Sequence, residues 1–409
     1  MTWARIRTTL VALLGLLAAG HLVLLWFGYA NVMTLMVLMS FGLVVADMAV
    51  IRLAPQAPWA GNWRLTAVSV FCCTVVLELV LRYGVATRLS YNERNGAMHY
   101  VSPYQQVYLD NLVRRFYFGQ TDVGLRTNRP NATIYKNRPE FSYEHRYNSL
   151  GLRDEEHDWG RIDSSRVVIG IGDSFAEGVG APQDSTWTAL LGALLQHAWP
   201  NALAINAGIS GSDVFFGHYL LQHALIDHYH PDVVVVGINS SDIHDVMIRG
   251  GEERFLSAQE VAFRPAPWWE LMYAASFIVR HIVHDIFRIQ WHLFSEAEFD
   301  RQVAAAEARI CSCLVDAYGL LANEKGFKLV VLFQPLQQDL NGGHKPYTAC
   351  RDALKADTSL IMVDAISAMD SMNTDTLNRM YWPIDLHLNG RGNLYTAQLL
   401  FDRLSLYDH

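Results

Sequence analysis

Three apolar runs occupy the front of the chain, at residues 8–29, 30–51 and 65–81. A helix rises about 1.5 Å per residue, so about 20 residues cross a hydrocarbon core of roughly 30 Å. The first two runs are long enough, and the third becomes so when extended to Tyr83. Three transmembrane helices are expected, with the membrane contacted through residues 8–83. A cleaved signal or a two-span hairpin is the alternative, but the first run is too long for a signal and a second follows at once. Arg5 and Arg7 precede the first run, Arg52 and Arg64 separate the second from the third, and the turn between the first two has no basic residue. That bias puts the N-terminus in the cytoplasm and residues 84–409 outside it, as a multi-pass protein of the cell (inner) membrane. His21, Asp47 and Glu78 lie in or near the runs, where hydrated ends or helix packing account for them more simply than function does.

Residues 84–164 form a mixed region, in which Phe141 to Arg153 alternates partially and turns at Asn148–Gly151, as extended structure would. From residue 165 the pattern changes to short buried strands alternating with helical periods. Strands are expected at VVIGIG after Arg166, at ALAIN near 202–206, at DVVVVGIN, at Phe327–Pro335 and at Leu360–Ile366. The helical periods between them imply a parallel sheet covered on both faces. A long amphipathic helix is expected over 268–294, with Arg280, His281, His284, Asp285, Arg288 and His292 on one face and Trp268, Trp269, Phe277, Ile282, Ile286 and Phe287 on the other. Packing onto the domain or the spans is the simplest use for it; a membrane-surface helix or a cap over the site are the others.

Composition narrows the function classes. Hydrophobic residues make up 51% and charged residues 18% of 409 residues, against a usual charged share of about 25%. Disorder and disulfide-dense mini-proteins are excluded. The net charge of −8 argues against a nucleic-acid partner. Cys72 and Cys73 fall inside a span, whereas Cys311, Cys313 and Cys350 lie where a disulfide is allowed, either Cys311 or Cys313 pairing with Cys350. No zinc-type spacing appears, and no metal or cofactor is expected.

Candidate chemistry collects after the strands. Gly172-Asp173-Ser174 places a serine where a base can activate it. Asn206 to Gly211 and Gly237 to Asp242 are turns whose N–H groups and small polar side chains, Asn239 and Ser241 among them, suit an oxyanion hole. Asp385-Leu386-His387 near the end puts a carboxylate and an imidazole two residues apart, so the first can orient the second. The third position of a dinucleotide loop is Phe175 rather than Gly, and the GxSxG elbow is not matched either. His244, Asp245 and Arg249 follow the third turn and are candidates for substrate contact. His218, His223, His228 and His230 read as a solvated helix face rather than a metal site.

This ordered set resembles the SGNH (GDSL-type) hydrolase superfamily over about residues 165–405, in the membrane-linked form similar to polysaccharide O-acetylation proteins. The resemblance implies a flavodoxin-like three-layer α/β/α domain, with Ser174 as nucleophile, His387 as base and Asp385 orienting it. Backbone N–H groups at Ser174 and Gly211 would serve the oxyanion, completed by Asn239 or Ser241. Two departures stand out. The last block is Asp-x-His rather than Asp-x-x-His, and Ser241-Asp242 occupies the usual Asn-Asp position, with Asn239 at the usual Gly. The expected organisation is an anchor at 1–83, a linker at 84–164 and a hydrolase domain at 165–409. The expected function is a serine esterase or O-acyltransferase acting on an acylated cell-envelope glycan or lipid, with a membrane acyl-donor protein as a further partner. The alternatives are a non-catalytic glycan-binding or assembly component, and a metal-dependent phosphoesterase using Asp173, Asp385 and His387.

Overall fold

The computed structural model describes residues 3–26, 32–54, 56–85, 127–252, 269–289, 294–340, 345–356 and 360–406. Two compact units result: Met1–Leu109 with Pro265–Phe299, and Asp110–Arg264 with Asp300–His409.

The first unit begins with α1 (Trp3–Trp26), α2 (Val32–Leu53) and α3 (Ala60–Leu79), the last continuing in wider turns through Val85. Met33–Leu53 and Asn62–Gly84 are long and apolar enough to cross a membrane; the apolar part of the first helix, Val11–Leu24, is shorter. Three expected spans thus correspond to two helices of full length and one shorter apolar helix. Leu16, Leu65, Val68 and Val76 all face outward. Polar residues in these helices contact one another. The His21 ring lies 3.1 Å from the Thr34 hydroxyl, and Arg64 Nε donates to Asp47 at 2.6 Å.

Glu78 explains a departure from expectation. The region 268–294 is not one helix. It breaks at Ser276, between Glu270–Ala275 and Phe277–His281, and the second helix runs on through Ile286. Ser276 is extended, and its hydroxyl accepts the Val279 N–H. The buried Glu78 carboxylate accepts the N–H groups of Phe277 at 2.8 Å and Ile278 at 3.2 Å, together with the Ser276 hydroxyl. A carboxylate there satisfies N–H groups that a helix start leaves open and opposes the positive end of its dipole. Arg280, expected on a polar face, is buried and donates to the carbonyls of Tyr273 and Ala274 at 2.9 Å each, ending the first helix. Trp268 and His292 lie outside the described residues.

The second unit opens with an antiparallel hairpin, β1 (Thr133–Asn137) and β2 (Ser142–Arg146), paired from Thr133 with Arg146 to Asn137 with Ser142. Its tip is Pro139–Glu140, closed by the Arg138 N–H on the Phe141 carbonyl at 2.8 Å. Then follow β3 (Arg166–Gly172), α4 (Ser174–Glu177), α5 (Trp187–Ala198), β4 (Ala202–Gly208), α6 (Val214–Leu220, continuing to Tyr229), β5 (Val233–Ile238) and α7 (Ser240–Arg249). The chain ends with α8 (Glu296–Ser312), β6 (Lys328–Phe333), α9 (Thr348–Ala356), β7 (Ile361–Asp364) and α10 (Gly390–Ser405).

The five larger strands form one parallel sheet in the order β4-β3-β5-β6-β7. Their nearly unbroken Val, Ile and Leu content is what burial on both faces demands. On one face Trp187, Leu191 and Leu195 of α5 and Leu400 and Leu404 of α10 pack over Val168, Val233, Val235, Val330 and Leu332. The four-residue spacing along each helix supplies that stripe. On the other face α6 packs against β3 and β5, and the buried Tyr318 hydroxyl donates to the Val214 carbonyl at 3.0 Å. Cys311 is bonded to Cys350, joining α8 to α9, while Cys313 is a buried free thiol.

The sheet approaches α4 closely at Gly208, where an added Cβ would lie 2.1 Å from the Glu177 nitrogen and 2.4 Å from the Ala176 carbonyl carbon. Both are backbone atoms that cannot swing aside. Gly208→Ala is expected to destabilise by about 1–3 kcal/mol, read as a lower thermal midpoint for the detergent-solubilised chain.

Candidate active site

The Ser174 segment is a strand-to-helix corner. Gly172 ends β3 at φ +153°, and a Cβ there would sit 2.6 Å from the Gly237 carbonyl at the end of β5. Asp173 caps α4 by accepting the Phe175 N–H at 2.9 Å. Ser174 is the first helical residue, so its own N–H has no intrahelical acceptor. The helix is a single turn, closed by the left-handed Gly178.

His387 reaches this corner from the other end of the chain. Its Nε2 lies 2.8 Å from Ser174 Oγ, and its Nδ1 lies 2.5 Å from Asp385 Oδ1. A carboxylate only accepts, so Nδ1 carries the proton and Nε2 presents its lone pair to the serine hydroxyl. Burial alone would raise the Asp385 carboxyl. The hydrogen bond from His387, with the charges of His387 and Arg138, holds it below its usual range instead. Phe175 packs beside the imidazole, with ring centres 5.0 Å apart.

The Asp-x-His spacing is achieved by a tight loop. The Trp382 N–H donates to the His387 carbonyl and the Leu386 N–H to the Trp382 carbonyl, both at 2.9 Å. Leu386 is held at φ +69°, a left-handed conformation that costs a non-glycine residue of order 1–3 kcal/mol. The Trp382 indole donates to the Gly180 carbonyl at 2.7 Å, fastening this loop to the segment after α4. Asn389 caps α10 through the N–H groups of Arg391 and Gly392, so the Asn of Asp-x-His-x-Asn starts the helix that carries the loop.

The third turn converges on Asp173. Asn239 Nδ2 donates to Asp173 Oδ2 at 3.0 Å, and Ser241 Oγ lies 2.8 Å from the same oxygen and 2.6 Å from Asn239 Oδ1. Both neighbours of the Ser241 hydroxyl are acceptors, so its one proton is used between them. The Asn239 amide carries a second N–H beyond the one given to Asp173. Asn239 also caps α7 reciprocally with Asp242. Burial, and then the charge of Asp173, push Asp242 well above the ordinary carboxylate range.

The second turn is anchored to the first. The Ile209 N–H and the Ser212 hydroxyl both donate to the Gly172 carbonyl, at 2.9 and 3.1 Å, and Gly211 between them has φ +70°. Glu177, three residues after Ser174, completes the attachment. It is fully buried and accepts the Ser210 N–H at 2.7 Å, the Ser210 hydroxyl, and the Tyr147 hydroxyl at 2.8 Å, with His145 Nδ1 at 3.4 Å. Burial would raise the Glu177 carboxyl. The hydrogen bond from His145, the Lys136 charge and the Ser210 donors outweigh it and keep the group ionised. Burial likewise lowers His145, which stays neutral and donates through Nδ1. The buried Arg153 guanidinium spans the carbonyls of Glu177, Gly178 and Ala181 at 3.0, 2.6 and 2.8 Å.

Comparison with known proteins decides the family. The model of the GDSL-like lipase/acylhydrolase family matches residues 171–394, more than half of the chain. The chain belongs to that family. This GDSL-type protein is therefore an ester-hydrolysing enzyme with the SGNH α/β fold. Among solved structures it is similar to a two-domain esterase active on acetylated mannans, at 13% identity and TM-score 0.36, over 60% of this chain and 51% of that one. It is similar to a G-D-S-L family lipolytic protein from Veillonella parvula, at 15% identity and TM-score 0.36, over 58% and 98%. An acetyl xylan esterase gives 15% identity and TM-score 0.35 over the same shares. The chain thus spans about half the length of the two-domain esterase. No curated protein matches it.

Of the residues expected at the site, Ser174, Asp385 and His387 meet directly. Asn239 and Ser241 meet on Asp173, beside Ser174. Asp173 therefore faces the third turn, while Asp385 and His387 face Ser174. His244 and Asp245 lie on α7, where burial lowers the His244 imidazole to about 4; the Arg249 side chain is outside the described atoms. Glu177, Arg153 and the hairpin residues escaped the sequence reading. The one available signal was a lone acidic residue within the small and apolar run after Ser174.

Because the folded Glu177 carboxyl lies below its ordinary 4.5, its contribution is complete above that value and fades as pH falls toward the folded value. Glu177→Gln is expected to lower the thermal midpoint at pH 7. The gap from the parent should narrow as the pH falls below about 5. A gap that widens toward acid would contradict the assignment.

Proposed function

We propose that this GDSL-type enzyme is a membrane-anchored serine esterase or O-acyltransferase acting on an acylated glycan or lipid of the cell envelope. The observation that carries the reading is the unbroken hydrogen-bonded line from Ser174 through His387 to Asp385. In this mechanism Ser174 Oγ attacks the ester carbonyl while His387 Nε2 takes its proton, and Asp385 stabilises the imidazolium so formed. The N–H groups of Ser174 and Gly211 and the second N–H of Asn239 receive the oxyanion, with Ser241 holding Asn239 and Asp173 in place. His387 passes its proton to the leaving alcohol. A water or a sugar hydroxyl then takes the acyl group from the serine, giving hydrolysis or transfer. In the transfer branch the acyl group would be presented by a membrane donor protein.

Location supports the substrate class. The two full-length apolar helices suit a membrane, and the reading of the unit as extracytoplasmic is supported by the bias of their flanking arginines and by the Cys311–Cys350 bond, of a kind that persists in oxidising compartments. His244, Asp245 and Arg249, on the helix that begins at Asn239, are the proposed contacts to the substrate beyond its ester.

Ser174→Ala and His387→Ala should each reduce turnover of an aryl acetate by about 1,000-fold or more while the chain stays folded. Unchanged turnover in Ser174→Ala would overturn the mechanism. Protease added to spheroplasts should degrade the catalytic unit, and full protection would contradict the proposed side of the membrane.

A further inference from the structure

The β1–β2 hairpin precedes the family-matched region, which starts at residue 171. Its tip nevertheless touches the loop that carries the catalytic base. We propose that Arg138 and Glu140 are positioning residues for the Asp385–His387 pair, which makes the hairpin a working part of the active site. The inference rests on the serine-esterase reading above and extends it to residues outside the shared family core.

The two residues act on different parts of Asp385. Glu140 holds its backbone: one carboxylate oxygen accepts the Ile384 N–H at 2.9 Å and the Asp385 N–H at 2.8 Å, and the other lies 3.0 Å from Ile384 N. The loop's own bonds run from Trp382 and Leu386, so Glu140 supplies acceptors for the two amides between them. Arg138 holds the side chain. Its Nε is 3.5 Å from Asp385 Oδ2, while Oδ1 takes the imidazole proton. With both oxygens engaged, rotation of the carboxylate away from His387 is opposed. Phe141, next to the tip, packs on the Trp382 ring at 5.5 Å and fixes the distance between hairpin and loop.

The short Asp-x-His spacing is the reason such a clamp is needed. One intervening residue must turn the chain, and Leu386 does so in a left-handed conformation that unsupported backbone would relax. Relaxation would carry Asp385 off the imidazole. Arg138 is more than half exposed, so its field is screened and its effect is directional rather than large. The charged groups described as facing Asp385 are His387 on its own loop and Arg138 and Glu140 on the hairpin.

The test is aryl acetate hydrolysis by the full chain in detergent, with Glu140→Ala, Glu140→Gln, Arg138→Gln and Ser174→Ala side by side. Glu140→Ala should lower kcat by about 10- to 100-fold, the scale of losing sub-ångström alignment, with KM within about twofold. Glu140→Gln retains an oxygen that accepts the same amides and should recover most of the loss. In Arg138→Gln a positive charge facing the Asp385–His387 pair is gone, which favours the protonated form of the pair, so the acid limb of kcat/KM should move to higher pH. Parent-like kcat in Glu140→Ala, or an acid limb in Arg138→Gln superimposable on the parent's, would overturn the proposal. So would equal losses in both Glu140 variants matched by equal falls in thermal midpoint, since that pattern marks a purely structural role. Ser174→Ala separates the two readings. If it stays active, the serine mechanism fails; if it is inactive while the hairpin variants behave as parent, only the clamp fails.

Discussion

The hydrogen bond between Ser174 and His387 joins side chains 213 residues apart in sequence, and the catalytic unit is organised around making it. Proton transfer needs the two heavy atoms within hydrogen-bond reach. The serine is delivered by β3, next to the central strand of the sheet. The histidine is delivered by the loop that leads into α10, which lies on the same sheet face as α5. Packing of α10 on α5 thus sets where the imidazole can be, and the strained turn at Leu386 sets which way it points.

Buried carboxylates tie the remaining turns to that pair. Asp173 gathers Asn239 and Ser241. Glu177 gathers Ser210, the hairpin residue His145 and Tyr147 just after the hairpin. Away from water, an ionised oxygen without donors would be expensive, and each donor is one that the carboxylate also locks in place. The substitution of Ser241 at the usual Asn position fits this logic. Its short hydroxyl braces Asp173 and Asn239, and an amide side chain stands two residues back, at Asn239.

The strands and most helices of the catalytic unit were legible because burial on two faces imposes unbroken apolar runs, and burial on one imposes a helical stripe. The meeting of Ser174, His387 and Asp385 was legible because the proposed chemistry demands particular residue types in a fixed order. Residues that act through distant partners left no such trace. Glu177 is one acidic residue in a small and apolar run, and its partners lie about 30 residues away on either side. The helix expected over 268–294 breaks because Glu78, 199 residues earlier than Phe277, supplies a cap that no local pattern encodes. Glu140 likewise takes amides 244 and 245 residues ahead of it. The disulfide had two compatible partners by spacing; Cys311 is the one bonded to Cys350, and Cys313 is a buried free thiol.

The most direct test of the central claim is where a fluorophosphonate reagent bonds to the intact chain, mapped by peptide mass spectrometry. The account predicts one adduct, on the hydroxyl of Ser174, forming at a rate that collapses when His387 is replaced by Ala. An adduct on another residue, or labelling of Ser174 at the same rate without the imidazole, would contradict it.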